Sequence, residues 1–148
     1  MTEPARLVLD TNTVLALWHF GDPRLAPLAG AIVRKRFALL SRADALEELR
    51  HVLARARFGI APEQQARILG QYGDLLVFPP SETTAFDLPQ CRDRDDQKFL
   101  EIARDHGASH LLTRDKCLLE LNRHRLLREK FRIVTPEKFQ AESGDGDG

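Results

Sequence analysis

The sequence predicts an α/β fold in which a central parallel sheet of about five strands is flanked by helices. Short apolar runs of strand length alternate with longer amphipathic segments, and turn residues separate the two kinds of segment. This alternation is typical of parallel sheets that are covered by helices on both faces. A chain of 148 residues is long enough for one domain with its own hydrophobic core.

The predicted strands are brief apolar runs, at residues 6–9, 37–40, 74–78, 110–113 and 131–134. The predicted helices fill most of the intervals between them, at residues 12–19, 24–35, 43–57, 62–72, 95–106 and 116–128. Breaks fall at turn-forming segments such as Gly21-Asp22-Pro23 and Pro79-Pro80-Ser81. We place one domain at residues 1–140 and predict that the acidic, glycine-rich tail at 141–148 is disordered.

Composition argues against several classes of protein. Lys plus Arg and Asp plus Glu number 22 each, so a polyanion would have to be bound by a local cationic cluster. Cys91 and Cys117 lie far apart without a CxxC motif, which disfavours a zinc site and a disulfide framework. No apolar run approaches the roughly 20 residues that span a bilayer, and no signal-peptide pattern is present. We therefore expect a soluble, cytoplasmic protein with no membrane partner.

The first predicted strand ends in a carboxylate, Asp10, within the stretch LVLDTNT. Asp, Thr and Asn are common helix-cap and turn residues, so capping is one explanation, and a metal or phosphate ligand on a rigid support is the other. In a parallel sheet the carboxyl ends of all strands lie at one edge, where ligands bind. Asp115 follows the fourth predicted strand, so we expect both acids at that edge. Two such carboxylates repel each other unless a cation lies between them.

Helical periodicity separates the acids of the segment ALEELRHVL. The apolar residues recur at helical spacing and define a buried face, so Glu47 points toward water and Glu48 lies on the flank of that face. Glu47 is expected to be an ordinary acid in the first turn of the helix, where the helix dipole favours it. Glu48 is instead placed where its side chain can lean into a cleft.

A third group of acids opens the predicted helix in RDRDDQKFLEIA. Asp96 falls within the apolar stripe, where a carboxylate is costly unless a positive charge meets it. Asp95 is better placed as the N-cap of the helix, and Asp93 as a loop residue that pairs with Arg92 or Arg94. Helical spacing alone does not decide which of Asp95 and Asp96 is the functional acid.

Four motifs, in this order and at this spacing, resemble the PIN-domain nucleases: LVLDTNT, ALEELRHVL, RDRDDQKFLEIA and HLLTRDKCLLEL. The match is best to the toxins of bacterial toxin–antitoxin pairs, relatives of the VapC toxins, and it covers residues 7 to about 139. The resemblance implies a PIN-like α/β/α sandwich whose acidic pocket binds Mg²⁺ or Mn²⁺ and hydrolyses RNA. It also implies a homodimer and a cognate antitoxin protein as partners.

The resemblance assigns roles to individual residues. The metal-binding and catalytic acids it implies are Asp10, Glu48, Asp96 and Asp115, and the supporting polar residues are Asn12 and Thr113. Asp96 is preferred to Asp95 because the family has an aliphatic or aromatic residue three positions later and Ala seven positions later, as Phe99 and Ala103 are here. The chain departs from the family at Cys117, where close relatives often carry an acid. This departure implies a lower metal affinity and leaves the number of metal ions open.

Substrate contacts are expected from local cations. Arg55 is seven residues after Glu48, about 10 Å along the predicted helix and on nearly the same side, where it could meet a phosphate. Trp18 and the apolar residues around it could form a stacking surface for nucleotides, but an amphipathic helix packed on the sheet or on a second subunit is the preferred explanation.

The main hypothesis is a metal-dependent endoribonuclease that acts as a toxin. The alternatives are a PIN nuclease with a housekeeping role in RNA processing and a non-catalytic PIN domain that binds RNA or protein. A phosphatase of the haloacid-dehalogenase type is disfavoured, since it needs a second Asp two positions after the first, and Asn12 stands there.

Overall fold

The computed structural model describes residues 3–81 and 85–144. Its sheet is parallel throughout, with the strand order β2-β1-β3-β4, and the strands are β1 (Ala5–Leu9), β2 (Phe37–Leu40), β3 (His110–Leu112) and β4 (Arg132–Val134). The α-helices of the described chain are α1 (Thr11–Trp18), α2 (Ala26–Val33), α3 (Ala43–Leu53), α4 (Pro62–Leu75), α5 (Gln97–Asp105), α6 (Lys116–Glu120) and α7 (Pro136–Gly144). The predicted α/β class is confirmed.

Side chains of β1 alternate between the two faces of the sheet. Leu7 and Leu9 pack with buried residues of α1, α2, α3, α4 and α7 on one face. Val8 packs on the other face with a second group of buried residues, which includes four from α5 and Leu118 from α6. Because successive strand residues point to opposite faces, β1 is apolar on both sides and forms the centre of an α/β/α sandwich.

The strand order places β1 and β3 side by side. Leu9 is in register with Leu112, and the N–H of Asp10 donates to the carbonyl of Leu112 at 3.3 Å. The chain leaves β1 toward β2 on one side, while β3 lies on the other side, so the strand order reverses at the carboxyl end of β1. Ligands of open α/β sheets bind in the crevice at such a reversal.

The prediction of a strand at residues 74–78 was wrong. Helix α4 continues to Leu75, which takes up the start of the predicted run. What remains is an isolated parallel bridge between Leu76 and Leu39, with the N–H of Val77 donating to the Leu39 carbonyl at 2.9 Å. The sheet therefore has four strands and one bridge at its β2 edge, rather than about five strands.

Two helices end well before the residue that the sequence predicted. Helix α3 ends at Leu53 instead of residue 57, because residues 54–57 are exposed and contribute no apolar face to the core. A short 3₁₀ turn at Ala56–Phe58 follows, and Gly59 then adopts the left-handed conformation with a φ of 58°. Helix α6 ends at Glu120 instead of residue 128, and beyond its 3₁₀ turn the Nδ1 of His124 accepts the N–H of Leu126.

Helix α7 extends into the segment predicted as a disordered tail. Residues 141–144 are helical, and residues 145–148 lie outside the described residues. The last helix is anchored by Gln140, whose Oε1 accepts the N–H of Leu28 and whose Nε2 donates to the carbonyl of Arg24, each at 2.8 Å. Phe139 is buried against the rings of Phe37 and His110.

Within residues 3–81 and 85–144, no helix combines the length and apolarity needed to cross a membrane.

The packing of α7 predicts that Phe139→Ala lowers the free energy of unfolding by about 3–5 kcal/mol, because a buried aromatic side chain is replaced by a cavity. The neighbouring exposed residue gives the control, since Lys138→Ala is expected to change stability by about 0.5 kcal/mol or less. Urea denaturation of both variants measures the difference. Equal stabilities would contradict the docked position of α7.

Candidate active site

Asp10 is a buried acid at the carboxyl end of β1, and its side chain is only 6% exposed. One oxygen, Oδ1, accepts the Thr13 N–H at 2.9 Å and the Thr13 hydroxyl at 2.6 Å. The carboxylate therefore caps α1, as one of the two explanations for LVLDTNT expected. Capping occupies Oδ1 and leaves Oδ2 for other partners, so the capping role does not exclude the ligand role.

Thr113, the residue after β3, connects two of the acids. Its hydroxyl donates to Asp10 Oδ2 at 2.5 Å and accepts the backbone N–H of Asp115 at 2.9 Å. Thr113 is fully buried, so these hydrogen bonds are shielded from water. Asp115 itself is exposed, and its Oδ1 caps α6 by accepting the N–H groups of Cys117 and Leu118 at 2.7 and 3.3 Å.

Glu48 is half-buried in the second turn of α3 and lines the cleft. Its Oε2 accepts the Thr11 hydroxyl in a short hydrogen bond, and its Oε1 forms an ion pair with Lys98 Nζ at 2.8 Å. Lys98, on α5, also donates to the backbone carbonyl of Asp95. The sequence analysis did not single out Lys98; its place two residues after Asp96 at the start of α5 was the available signal.

Asp96 is half-buried at the start of α5 and closes the acidic group. Burial and the neighbouring carboxylates, in the order Asp93, Asp115, Asp10 and Glu48, raise its pKa to about 6. The pKa of Asp10 is raised as well, chiefly by burial, although the hydrogen bonds from Thr113 and Thr13 oppose the shift. In both cases burial is the largest cause, and repulsion from neighbouring carboxylates adds to it.

These residues line one cleft of about 240 Å³. The cleft brings together all four acids predicted from the sequence, which follow β1 and β3, lie in the middle of α3 and precede α5. The residues that line it are Asp10, Thr11, Asn12, Glu48, Val52, Arg55, Asp93, Asp95, Asp96, Phe99 and Asp115.

Two expectations about the loop before α5 were wrong. Asp95 is not the N-cap: Asp93 takes that role by accepting the Asp95 N–H at 2.9 Å, ahead of a 3₁₀ turn at Arg94–Asp96. Among the described residues, Asp93 forms no ion pair with Arg92 or Arg94; these arginines line an adjoining groove together with Asp93, Asp96, Asp115 and Cys117. Asp93 and Asp95 thus add two exposed carboxylates to the cleft.

The remaining candidates divide between the cleft and the surface. Arg55 lines the cleft as expected, but from the turn after α3 rather than from the helix itself. Asn12 lines it and is exposed, whereas Thr113 contributes through Asp10. Glu47 points to solvent and pairs with Arg50, as its helical position predicted.

A hard divalent cation fits the donor set of this cleft. The side chains offer carboxylate oxygens, which Mg²⁺ prefers, and the raised pKa of Asp96 marks a site where positive charge is favourable. In the described part of the chain, no three His, Cys, Asp or Glu side chains form a ready-made ligand cluster. Mg²⁺ does not require one, because it keeps several waters and usually takes one or two carboxylates plus substrate phosphate.

The electrostatics of the cleft predict that Asp96→Asn stabilises the metal-free protein by about 1 kcal/mol at neutral pH, after allowance for solvent screening. The folded-state pKa of Asp96, about 6, lies above the ordinary aspartate pKa of 3.8, so the ionised form destabilises the fold. The gain from the substitution should be full above about pH 6 and vanish as the pH falls toward 3.8.

Urea denaturation in EDTA across this pH range measures the effect, with Asp87→Asn, at an exposed residue outside the cleft, as the control. If Asp96→Asn destabilised the protein at neutral pH, the claim that ionised Asp96 costs stability would be wrong.

The comparison with known proteins agrees with this geometry. A family model described as PIN domain matches residues 6–117, which span the strands and helices that carry all four acids. No curated protein matches the chain at a significant level of similarity. The matched region covers most of the chain, and it holds the acidic cleft at the carboxyl end of a parallel sheet. The chain belongs to the PIN-domain family, whose members are generally metal-dependent nucleases.

Proposed function

We propose that this chain is a metal-dependent endoribonuclease that hydrolyses RNA phosphodiester bonds and acts as the toxin of a toxin–antitoxin pair. The observation that carries the nuclease proposal is the convergence of Asp10, Glu48, Asp96 and Asp115 on one cleft at the strand-order reversal. The family supports a nuclease in general. Mg²⁺ or Mn²⁺ is the cofactor that this all-oxygen donor set favours.

Each acid has a different part in the proposed site. Asp10 is the most rigid, because Thr13 and Thr113 hold both of its oxygens in place. Asp96 and Asp115 line a shared groove and form no ion pair within the described residues. Their outward carboxylate oxygens are therefore free to bind a cation and its waters. Glu48 is held by Thr11 and Lys98, which orient it toward the cleft.

When bound, a divalent cation lowers the pKa of a coordinated water and stabilises charge on the phosphate oxygens. The residues of the chain position the phosphate for in-line attack: the acids fix where the positive charge sits, and Arg55 offers a contact for a neighbouring phosphate. Lys98 stands next to Glu48 and offsets its charge while RNA is absent. The chemistry needs no protein nucleophile, and the expected products carry a 5′-phosphate and a 3′-hydroxyl.

The toxin role rests on the resemblance of the four acidic motifs to toxin components, which also suggests a cytoplasmic location, a homodimer and an antitoxin that covers the cleft. Inducible expression in a bacterial host tests this role. Expression of the wild-type chain should arrest growth, and co-expression of the protein encoded next to it should relieve the arrest. Unimpaired growth at a high level of folded protein would overturn the toxin role and leave the nuclease role standing.

Cleavage assays on purified protein test the nuclease proposal. We expect Asp10→Asn and Glu48→Gln each to lower the rate of RNA cleavage in Mg²⁺ or Mn²⁺ by at least about 100-fold, since residues that only orient metal ligands already cost about 10- to 100-fold. Glu47→Gln is the matched control, because it alters a carboxylate on the same helix that points to solvent. Its activity should stay within about twofold of the wild type.

Circular dichroism of each variant verifies the fold. Cleavage that survives in folded Asp10→Asn, or that EDTA does not suppress, would refute the proposed site.

A further inference from the structure

A cluster of three rings lies at the surface where α1 ends. The ring centroids of His19 and Phe20 are 4.6 Å apart, and the Phe58 ring is 6.2 Å from each of them. Phe20 is 61% exposed, and His19 and Phe58 are each partly exposed. Trp18 is packed edge-on against Tyr72 and the hydrophobic core, as the sequence predicted. Phe58 is also partly buried against that core, so the aromatic surface consists of the exposed Phe20 ring and the exposed parts of His19 and Phe58.

This ring cluster is continuous with the acidic cleft along two segments. Phe58 is one turn from Arg55, which lines the cleft, and its N–H donates to the Arg55 carbonyl at 3.1 Å. Phe20 follows α1, whose first turn contains the cleft residue Asn12. Helix α1 rises about 9 Å from Asn12 to its last residue, Trp18, and Phe20 lies two residues beyond. A chain that extends from the cleft past Arg55 would therefore meet the rings.

Positive charge accompanies the rings. The Arg57 guanidinium lies over the Phe58 ring, 4.8 Å from its centroid, and Arg55 is exposed beside it. Neither arginine forms an ion pair within residues 3–81 and 85–144. Arginines on the preceding helix differ, since Arg50 pairs with Glu47 and Arg42, before its start, pairs with Asp44. Two unpaired cations next to flat, exposed rings match the two features of a nucleotide, its phosphate and its base.

We propose that His19, Phe20 and Phe58 form a stacking platform for unpaired RNA bases next to the cleft, with Arg55 and Arg57 contacting the adjoining phosphates. This inference rests on the proposed function and adds to it the residues that would hold the bases next to the cleft. Bases within a duplex are stacked on each other and cannot lie on a protein ring, so the platform favours single strands. A protein partner on the same surface would use its apolar area but would not require flat rings.

The test distinguishes binding that needs flat rings from binding that needs only an apolar surface. Binding of fluorescein-labelled oligoadenylate is followed by anisotropy in EDTA, where the RNA is not cleaved, and is compared with an oligomer of the same length that lacks bases. The double variant Phe20→Leu/Phe58→Leu keeps an apolar surface and removes two rings. We expect it to bind oligoadenylate about tenfold more weakly and the baseless oligomer unchanged. Phe58→Trp should bind oligoadenylate at least as tightly as the wild type.

The control is Phe78→Leu, because Phe78 is 67% exposed and has no ring neighbour within the described residues. It should leave both affinities unchanged. Thermal denaturation shows whether each variant is folded, and Phe58→Trp supports the platform even where the double variant fails to fold. Equal loss of affinity for both oligomers, or no loss for either, would overturn the proposal. A change of oligomeric state without a change in RNA affinity would assign the rings to a protein interface and overturn it too.

The platform and the nuclease proposal can fail separately. Base-dependent binding by a protein that does not cleave RNA would support the platform and refute the nuclease. Metal-dependent cleavage that is indifferent to both ring substitutions would refute the platform alone.

Discussion

The burial of one carboxylate, that of Asp10, is the constraint on which the rest of the site depends. An ionised acid that is removed from water is costly unless donors meet its oxygens. The chain supplies those donors from Thr13 in the first turn of α1 and from Thr113 after β3. These contacts require β1 and β3 to be neighbours in register, as the pairing of Leu9 with Leu112 provides. The hydrogen bonds that hold the Asp10 carboxylate therefore depend on the strand order of the sheet.

The other carboxylates add negative charge to the cleft, and their mutual repulsion lowers the stability of the fold. Asp93, Asp95, Asp96 and Asp115 gather around Asp10, and within residues 3–81 and 85–144 Lys98 is the one cation that forms an ion pair with an acid of the cleft. Burial first, and then repulsion from these carboxylates, raises the pKa of Asp96 to about 6. A site that is destabilised by its own charge gains stability from any cation that enters, so the same repulsion that costs folding energy favours binding of a metal.

The sequence predicted the parts of this structure that follow from periodicity. The parallel sheet, the edge where Asp10 and Asp115 meet, and the opposite orientations of Glu47 and Glu48 all follow from strand and helix repeats. The predictions failed where a boundary depends on tertiary packing. The run at 74–78 is apolar enough for a strand, yet α4 extends into it, and residues 141–144 are helical because Gln140 and Phe139 anchor α7. Lys98 and the roles of Asp93 and Asp95 depend on side-chain geometry that no repeat encodes.

The central claim is that the acidic cleft positions a metal for attack by water on RNA. The chemistry of the cleaved ends tests it most directly, because attack by water leaves the ribose 2′-hydroxyl out of the reaction. Mass spectrometry of oligoribonucleotide fragments, made by the wild-type chain in Mg²⁺ or Mn²⁺, should find 5′-phosphate and 3′-hydroxyl ends and no fragments in EDTA. Fragments with 2′,3′-cyclic phosphate and 5′-hydroxyl ends, formed without added metal, would contradict the account.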